Sequence, residues 1–194
     1  MAKRTAPTSL RGDAPEATTK DPNPAAAGLA TDEGEDTLVE RTVTINRPRE
    51  ELYAFWRDFT NLPLFMENIA SVTVVDSLHS HWVVRAPVGA HVEWDSTITE
   101  DIPGSVIAWQ SNEDASVPNS GRIEFRDSSN KRGTCVTALV AYNPPAGKLG
   151  KLVATLFQRE PKIQARRDLR RFKQLMETGE IATAEAPFAA PRAE

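Results

Sequence analysis

The sequence has a single cysteine, Cys135, among its 194 residues. One thiol forms no disulfide within a chain and supplies no multi-cysteine zinc or iron–sulfur site. An apolar run of roughly 18 residues, the length that a transmembrane helix needs, is also missing. Lys3 and Arg4 are not followed by an apolar stretch, so no secretory signal is expected and the default location is the cytoplasm. A net charge of −4 argues against a protein that mainly coats nucleic acid.

Large apolar residues are scarce at both ends of the chain. Residues 1–36 are rich in proline, alanine and charge, and their only large apolar residues are Met1, Leu10 and Leu29. So little apolar surface cannot offset the entropy lost on ordering the backbone, which predicts a disordered N-terminal tail. Residues 181–194, rich in Ala, Pro and Glu, are predicted to form a second disordered tail. The remaining residues, 37–180, are predicted to form one domain.

The first half of that domain changes period from strand to helix. Residues 37–46 alternate apolar and polar side chains, which predicts a half-buried strand. Arg47-Pro48 ends this strand and opens a helix. Its apolar residues recur at the i, i+3, i+4, i+7 spacing of one helical face: Leu52, Phe55, Trp56 and Phe59. Asn61-Leu-Pro63 breaks the helix, and a short second helix is expected at 64–68.

Six further strands and a long helix are expected after residue 68. The strands are predicted at 69–76, 79–86, 91–101, 105–111, 120–127 and 133–142. Their short links favour antiparallel neighbours. Two apolar helical stripes follow, on either side of Pro161, which should kink or split the helix. The stripes are Leu149, Leu152, Val153, Leu156 and Phe157, then Leu169, Phe172, Leu175 and Met176.

This order of elements predicts an α+β helix-grip fold. A seven-stranded curved antiparallel sheet would wrap around the long C-terminal helix. One helix cannot cover seven strands, so a cavity between sheet and helix is expected. The charged residues of the helix fall largely between its apolar positions, so we expect the helical wall of the cavity to be apolar.

Four stretches of the sequence resemble bacterial SRPBCC proteins of the polyketide cyclase/dehydrase-like kind, within the START and pollen-allergen superfamily. They are Tyr53–Met66, His81–Gly89, Val92–Asp95 and Asp168–Gly179. The resemblance covers about 37–180 and implies the same helix-grip fold. The superfamily includes lipid carriers, aromatic cyclases, hormone receptors, co-chaperones and a ribosome-assembly inhibitor, so the resemblance implies several functions rather than one.

Aromatic residues are the leading candidates for contact with a ligand. Trp82, Trp94, Trp109 and Phe125 fall in four predicted strands, and Tyr142 ends a fifth. If their faces coincide, they line the concave side of the sheet and offer flat surfaces to a planar ligand. The helix would add Phe157 and Phe172. The alternative is that these aromatics only fill the core.

Charged residues on the third and fourth strands are candidates for polar contact or acid–base chemistry. Glu93 and Asp95 share a strand face, and paired carboxylates in a cavity could act on an enolisable substrate. A two-residue Val88-Gly89 turn would place Glu93 opposite Val84 and Arg85 opposite Val92. A one-residue slip reverses the faces, and surface acids on the convex side are the alternative.

No metal site and no cofactor are expected. Histidines at 79, 81 and 91 cluster near two strands but lack the spacing of a metal site. Cys135 has no nearby group that would activate its thiol and is expected to be a small strand residue. The segment Arg159–Glu177 carries an excess of arginine and lysine, typical of a solvated helix face or of a surface for an anionic partner.

Three functions compete at this point. The first is binding of a small hydrophobic molecule (a lipid, a quinone or an aromatic polyketide-like compound) in the cavity. The second is a cyclase or dehydratase that uses Arg85, Glu93 and Asp95. The third is a ribosome- or RNA-associated interaction module that docks through the basic C-terminal helix. If the protein binds a hydrophobic molecule, the polar groups that orient this ligand are expected to come from the strands: Arg85, Glu93, Asp95, His81 and Tyr142. The sequence leaves the oligomeric state open.

Overall fold

A computed structural model describes residues 37–86, 89–115, 117–129, 132–142 and 161–182. The two predicted tails, apart from Ile181 and Ala182, lie outside the described residues. So do the first apolar helical stripe, with Phe157, and Pro87-Val88 of the predicted turn. The side chain of Tyr142 is not described either. The domain boundaries therefore stay a prediction.

Seven strands form one curled sheet in which every neighbouring pair is antiparallel. The strands are β1 (Thr37–Ile45), β2 (Ile69–Val74), β3 (His79–Arg85), β4 (His91–Ile102), β5 (Val106–Ser111), β6 (Asn119–Asp127) and β7 (Thr134–Tyr142). Their order across the sheet is β1-β7-β6-β5-β4-β3-β2. Irregularities in β2 and β4 shift the register locally, and such bulges increase the bend of a sheet. The α+β fold and the seven antiparallel strands are confirmed.

The helical connection between β1 and β2 differs from its prediction. Helix α1 (Arg49–Arg57) buries Leu52 and Trp56. A 3₁₀ helix, η1 (Phe59–Leu64), follows at once, so the second helix expected at 64–68 is wrong. Asp58 caps η1 because its side chain accepts a hydrogen bond from the Thr60 N–H at 3.1 Å. This cap restarts helical structure immediately after α1.

The C-terminal helix, α2 (Pro161–Thr178), closes the open side of the sheet. Its last turns are tied to the junction of β1 and α1. The Lys173 ammonium donates to the Thr44 carbonyl, and the Arg47 guanidinium donates to the Met176 carbonyl, each at 2.7 Å. Within the described residues, neither helix has both the length and the apolar character that crossing a membrane requires.

The register between β3 and β4 is one residue away from the predicted one. Glu93 lies opposite Val83, not Val84. The Ala86 N–H donates to the Ala90 carbonyl at 2.7 Å, so the connecting loop is one residue longer than the predicted turn. Opposed residues share a face of the sheet, and the observed register joins apolar with apolar side chains. The facing apolar pairs are Trp82–Trp94 and Val84–Val92.

Candidate functional site

A cavity of about 180 Å³ lies between the concave face of the sheet and the first half of α2. Every strand contributes at least one lining residue, and α1 contributes Trp56. Most of the lining is apolar. An apolar cavity of about 150 Å³ stays dry and accepts benzene. The cavity therefore has room for a one-ring molecule.

All four tryptophans of the sequence line the cavity. The indole of Trp82 is nearly parallel to those of Trp94 and Trp109, with interplanar angles of 14° and 17° and centroid distances of 6.2 and 6.0 Å. Phe59 packs edge-on against Trp82 and Trp109 at 5.4 and 5.7 Å. Rings packed on several sides move little, so this row is a preformed wall.

A glycine on β6 makes room for one of these indoles. Gly121 lies directly opposite Trp109 in the β5–β6 pair. A Cβ atom on Gly121 would lie 2.2 Å from the Trp109 ring, well inside van der Waals contact. The absence of a side chain at Gly121 therefore lets the indole lie across β6 and close that side of the cavity.

The polar lining comes from four side chains: Asn68, Asn119, Gln164 and Asp168. The Gln164 amide donates from Nε2 to Oδ1 of Asp168 at 2.9 Å. The Asn119 amide donates from Nδ2 to the Val117 carbonyl at 2.9 Å. Each NH₂ group has a second N–H, and the amide oxygens of Gln164 and Asn119 and the Asp168 carboxyl are available as acceptors.

Asp168 is the one ionisable residue among the described residues that line the cavity. Burial raises the pKa of its carboxyl from 3.8 to about 7, and the charge of Glu67 adds to the rise, while the Gln164 hydrogen bond and two arginines oppose it. Those arginines, Arg167 and Arg171, form salt bridges with Glu67 at 3.4 and 2.6 Å instead. Asp168 thus lacks a salt bridge to any described residue and titrates near neutral pH.

Two indole N–H groups of the cavity wall are buried without a partner among the described residues. They are Nε1 of Trp56 and Nε1 of Trp94. By contrast, Nε1 of Trp82 donates to the Ser80 hydroxyl at 2.9 Å. A buried donor without a partner costs about 1–3 kcal/mol. The aromatic wall therefore lowers stability at two points.

Comparison with known proteins identifies the family. Residues 45–170 match the family described as polyketide cyclase / dehydrase and lipid transport. The chain belongs to this family. It is 41% identical to a protein of Deinococcus radiodurans of known structure, covering 74% of this chain and 99% of that one, with a TM-score of 0.63. A 17.2 kDa protein of Streptomyces lincolnensis is 27% identical over 72% of this chain and 89% of its own length.

An aromatase/cyclase from Streptomyces sp. R1128 shares the fold of this polyketide cyclase family member. It is 15% identical, covers 76% of this chain and 100% of its own, and gives a TM-score of 0.56. Identity this low shows the fold alone. The arrangement of sheet and helix is therefore common to both, while the cavity side chains of this chain must be interpreted from its own structure.

The aromatic candidates divide into cavity wall and core. Trp82, Trp94 and Trp109 line the cavity of this polyketide cyclase family member. Phe125 is buried on the same face of the sheet but packs edge-on against Tyr53 at 6.0 Å, away from the cavity lining. Phe172 is fully buried among rings of α1 and the segment after it. Trp56, on α1, joins the wall although the sequence pattern marked it only as helix core.

The charged strand candidates lie on the other face of the sheet, so the structure corrects the expectation that they reach the cavity. Glu93 and Asp95 have side chains that are 57% and 63% exposed. His81 bridges them on the outer face, with Nδ1 2.8 Å from Asp95 and Nε2 3.7 Å from Glu93. Arg85 is also exposed and donates to the carbonyls of Glu67 and Ile69. The observed register causes this, because it places Val84 and Trp94 inward and these residues outward.

The helical wall is not wholly apolar, which is a second correction. Gln164 and Asp168 line the cavity from α2. The sequence carries a signal for them, since Gln164, Asp168, Phe172 and Met176 recur every four residues along one face. In this helix the polar pair continues the apolar stripe beyond the core and lines the cavity.

The pH dependence of stability tests the environment of Asp168. Because its folded pKa is raised to about 7, the unfolded chain loses this proton first, and stability should fall as pH rises between about 4 and 7. Asp168→Asn removes this loss. We expect the variant to be more stable than the wild type by roughly 1–3 kcal/mol at about pH 8, and equally stable at about pH 4. Urea unfolding across this range measures the difference.

The matched control is Asp95→Asn on the exposed face of β4, which should shift stability little at any pH. Parallel stability curves for wild type and Asp168→Asn would show that the Asp168 carboxyl is not protonated in the folded protein near neutrality.

Proposed function

We propose that this protein binds a small hydrophobic molecule in the cavity between the sheet and α2. The observation that carries the proposal is the cavity itself, whose volume of about 180 Å³ is enclosed by four tryptophans and aliphatic side chains with few polar groups. Sites for small apolar ligands have this composition. The family, which includes cyclases, dehydrases and lipid transport proteins, is consistent with such a role.

Native mass spectrometry of the protein from its own host tests the proposal directly. A co-purified small molecule would support it. The absence of any bound molecule, together with no saturable binding of toluene by calorimetry, would refute it. Toluene is chosen because a one-ring hydrocarbon fits a cavity of this size.

Removal of an indole from the wall should weaken this binding. In Trp94→Ala the ligand loses roughly 50 Å² of apolar contact, worth about 1.3 kcal/mol, so toluene affinity should fall about tenfold. Glu93→Gln, on the neighbouring but outward-facing position, should leave the affinity unchanged. Titration calorimetry measures both. An equal loss in the two variants would mean that toluene does not bind in this cavity.

A cyclase or dehydratase activity is the second candidate, and one observation favours it. Asp168 is a carboxyl in the cavity wall with a pKa of about 7, suited to proton transfer at neutral pH. The residues expected to perform such chemistry, Arg85, Glu93 and Asp95, lie on the outer face. If Asp168→Asn abolishes a measured turnover while ligand binding survives, the protein is an enzyme and the proposal of a carrier is wrong.

An interaction with ribosomes or RNA stays a prediction from the sequence. Arg167 and Arg171 of the basic helix are engaged with Glu67, while Arg166 and Arg170 are exposed. Two of these four arginines are thus paired within the chain, with one carboxylate between them, so the cavity is the better supported site. The cytoplasmic location likewise stays a prediction.

A further inference from the structure

The described lining of the cavity carries charge of one sign. Among its described lining residues there is no lysine, arginine or histidine, and the single ionisable group is the Asp168 carboxyl. Two nearby arginines favour its ionised form only in part, because both form salt bridges with Glu67. Arg171 donates to Glu67 at 2.6 Å and to the Phe65 carbonyl at 3.0 Å, and Arg167 also pairs with Glu67. A carboxylate in this wall therefore has no cation of the described chain paired with it.

The neutral polar groups of the lining also present acceptors. One N–H of the Gln164 amide donates to Asp168, and one N–H of the Asn119 amide donates to the Val117 carbonyl. Their oxygens, like the second oxygen of Asp168, have no hydrogen bond assigned among the described residues. The lining therefore offers oxygen acceptors to a donor group on the ligand, beside the two unpartnered indole N–H groups of Trp56 and Trp94.

We propose that the molecule held in this cavity is a lipophilic amine: one ring or a short aliphatic group that carries a protonated amino group hydrogen-bonded to Asp168. This inference rests on the proposed binding function and specifies its ligand class. The apolar wall takes the ring, and the ammonium restores the charge partner that the carboxylate lacks. Charge-assisted hydrogen bonds of this kind are about twice as strong as neutral ones.

Three one-ring probes separate the possibilities by charge alone: benzylamine, toluene and benzoate. At about pH 8, where Asp168 is mainly ionised, benzylamine should bind at least about tenfold more tightly than toluene. Benzoate should bind more weakly than toluene. Calorimetry or ligand-observed NMR on the full chain gives the three affinities.

Variants assign the preference to Asp168. Asp168→Asn should reduce benzylamine binding to the level at which the same variant binds toluene, and urea unfolding reports that the variant is folded. Asp168→Glu should keep the preference for the amine. Asp95→Asn, which removes an exposed carboxylate from the outer face, should change nothing.

Proton release gives a readout that does not depend on any variant. An ammonium beside Asp168 lowers the pKa of that carboxyl, so benzylamine binding near pH 7 should release a proton to the buffer, while toluene binding should release none. The charged groups around Asp168 are Glu67 on the loop before β2 and Arg167 and Arg171 on α2. Proton release on benzylamine binding therefore comes from a carboxyl of this cluster.

The outcomes distinguish the two proposals. If toluene binds but benzylamine binds no better, or benzoate binds best, the amine proposal is overturned and the binding function stands. If none of the three probes binds, both proposals fail. A preference for benzylamine that persists in Asp168→Asn overturns the assignment to Asp168.

Discussion

Replacing Gly121 with alanine is expected to destabilise the fold by about 3 kcal/mol and to abolish ligand binding in the cavity. The new methyl group would lie 2.2 Å from the Trp109 ring, which Phe59 and Trp82 hold from its other sides. The indole must turn away from β6, and the space into which it can turn is the cavity. Chemical denaturation and toluene titration measure the two effects.

A double variant tests whether the indole causes both effects. Trp109→Leu removes the ring that collides with the methyl group, so Gly121→Ala should cost much less stability in that background. Gly89→Ala is the matched control, since Gly89 has a positive φ of 75° but open space around its Cβ position. It should show backbone strain without loss of binding. Gly121→Ala with wild-type affinity for toluene would show that Trp109 does not form the cavity wall.

The sheet could be predicted from the sequence because its period is simple. Strands that alternate apolar and polar residues, such as β4, with buried Val92 and Trp94 between exposed His91, Glu93 and Asp95, define one inner face. Each observed strand lies within two residues of its predicted bounds. Short connections then leave only antiparallel neighbours.

The pairing between β3 and β4 could not be predicted from the turn residues alone. A three-residue loop shifts the pairing of the two strands by one position relative to a two-residue loop. Every residue of β3 then lies opposite a different residue of β4. The apolar pattern of the two strands predicts the observed register, because only that register places Trp82 opposite Trp94. Where turn chemistry and hydrophobic pattern disagree, the pattern decides, since it involves several buried side chains and the turn only one or two.

The polar residues that α2 contributes to the cavity could not be predicted for a different reason. Charged residues on a helix are expected in solvent, and Asp168 sits among arginines along the chain. In the structure Arg167 and Arg171 reach Glu67, and Asp168 lines the cavity without a salt bridge to a described residue. Which charges pair across a fold depends on tertiary positions that spacing along one helix does not contain.

Phe172 separates the core beneath α2 from the cavity beside it. Its ring is fully buried, with centroids 4.9 Å from those of Trp56 and Phe65. It is absent from the cavity lining, although Leu169 one turn earlier belongs to it. The aromatic cluster under Phe172 thus fixes the helix, and the first turns of the helix, with Asp168, are positioned over the cavity as a result.

Phe172→Ala should therefore cost about 3–5 kcal/mol of unfolding free energy, the usual loss for a buried phenylalanine. Toluene affinity of the molecules that remain folded should change less than about threefold, because no ligand contact is removed. Arg170→Ala, at an exposed position on the same helix, is the control and should alter neither quantity. Unfolding in urea and calorimetry of the folded protein give both numbers. A drop in affinity of about tenfold with only a small loss of stability would reverse the assignment, since it would mean that Phe172 contacts the ligand and that the cavity extends beneath the helix.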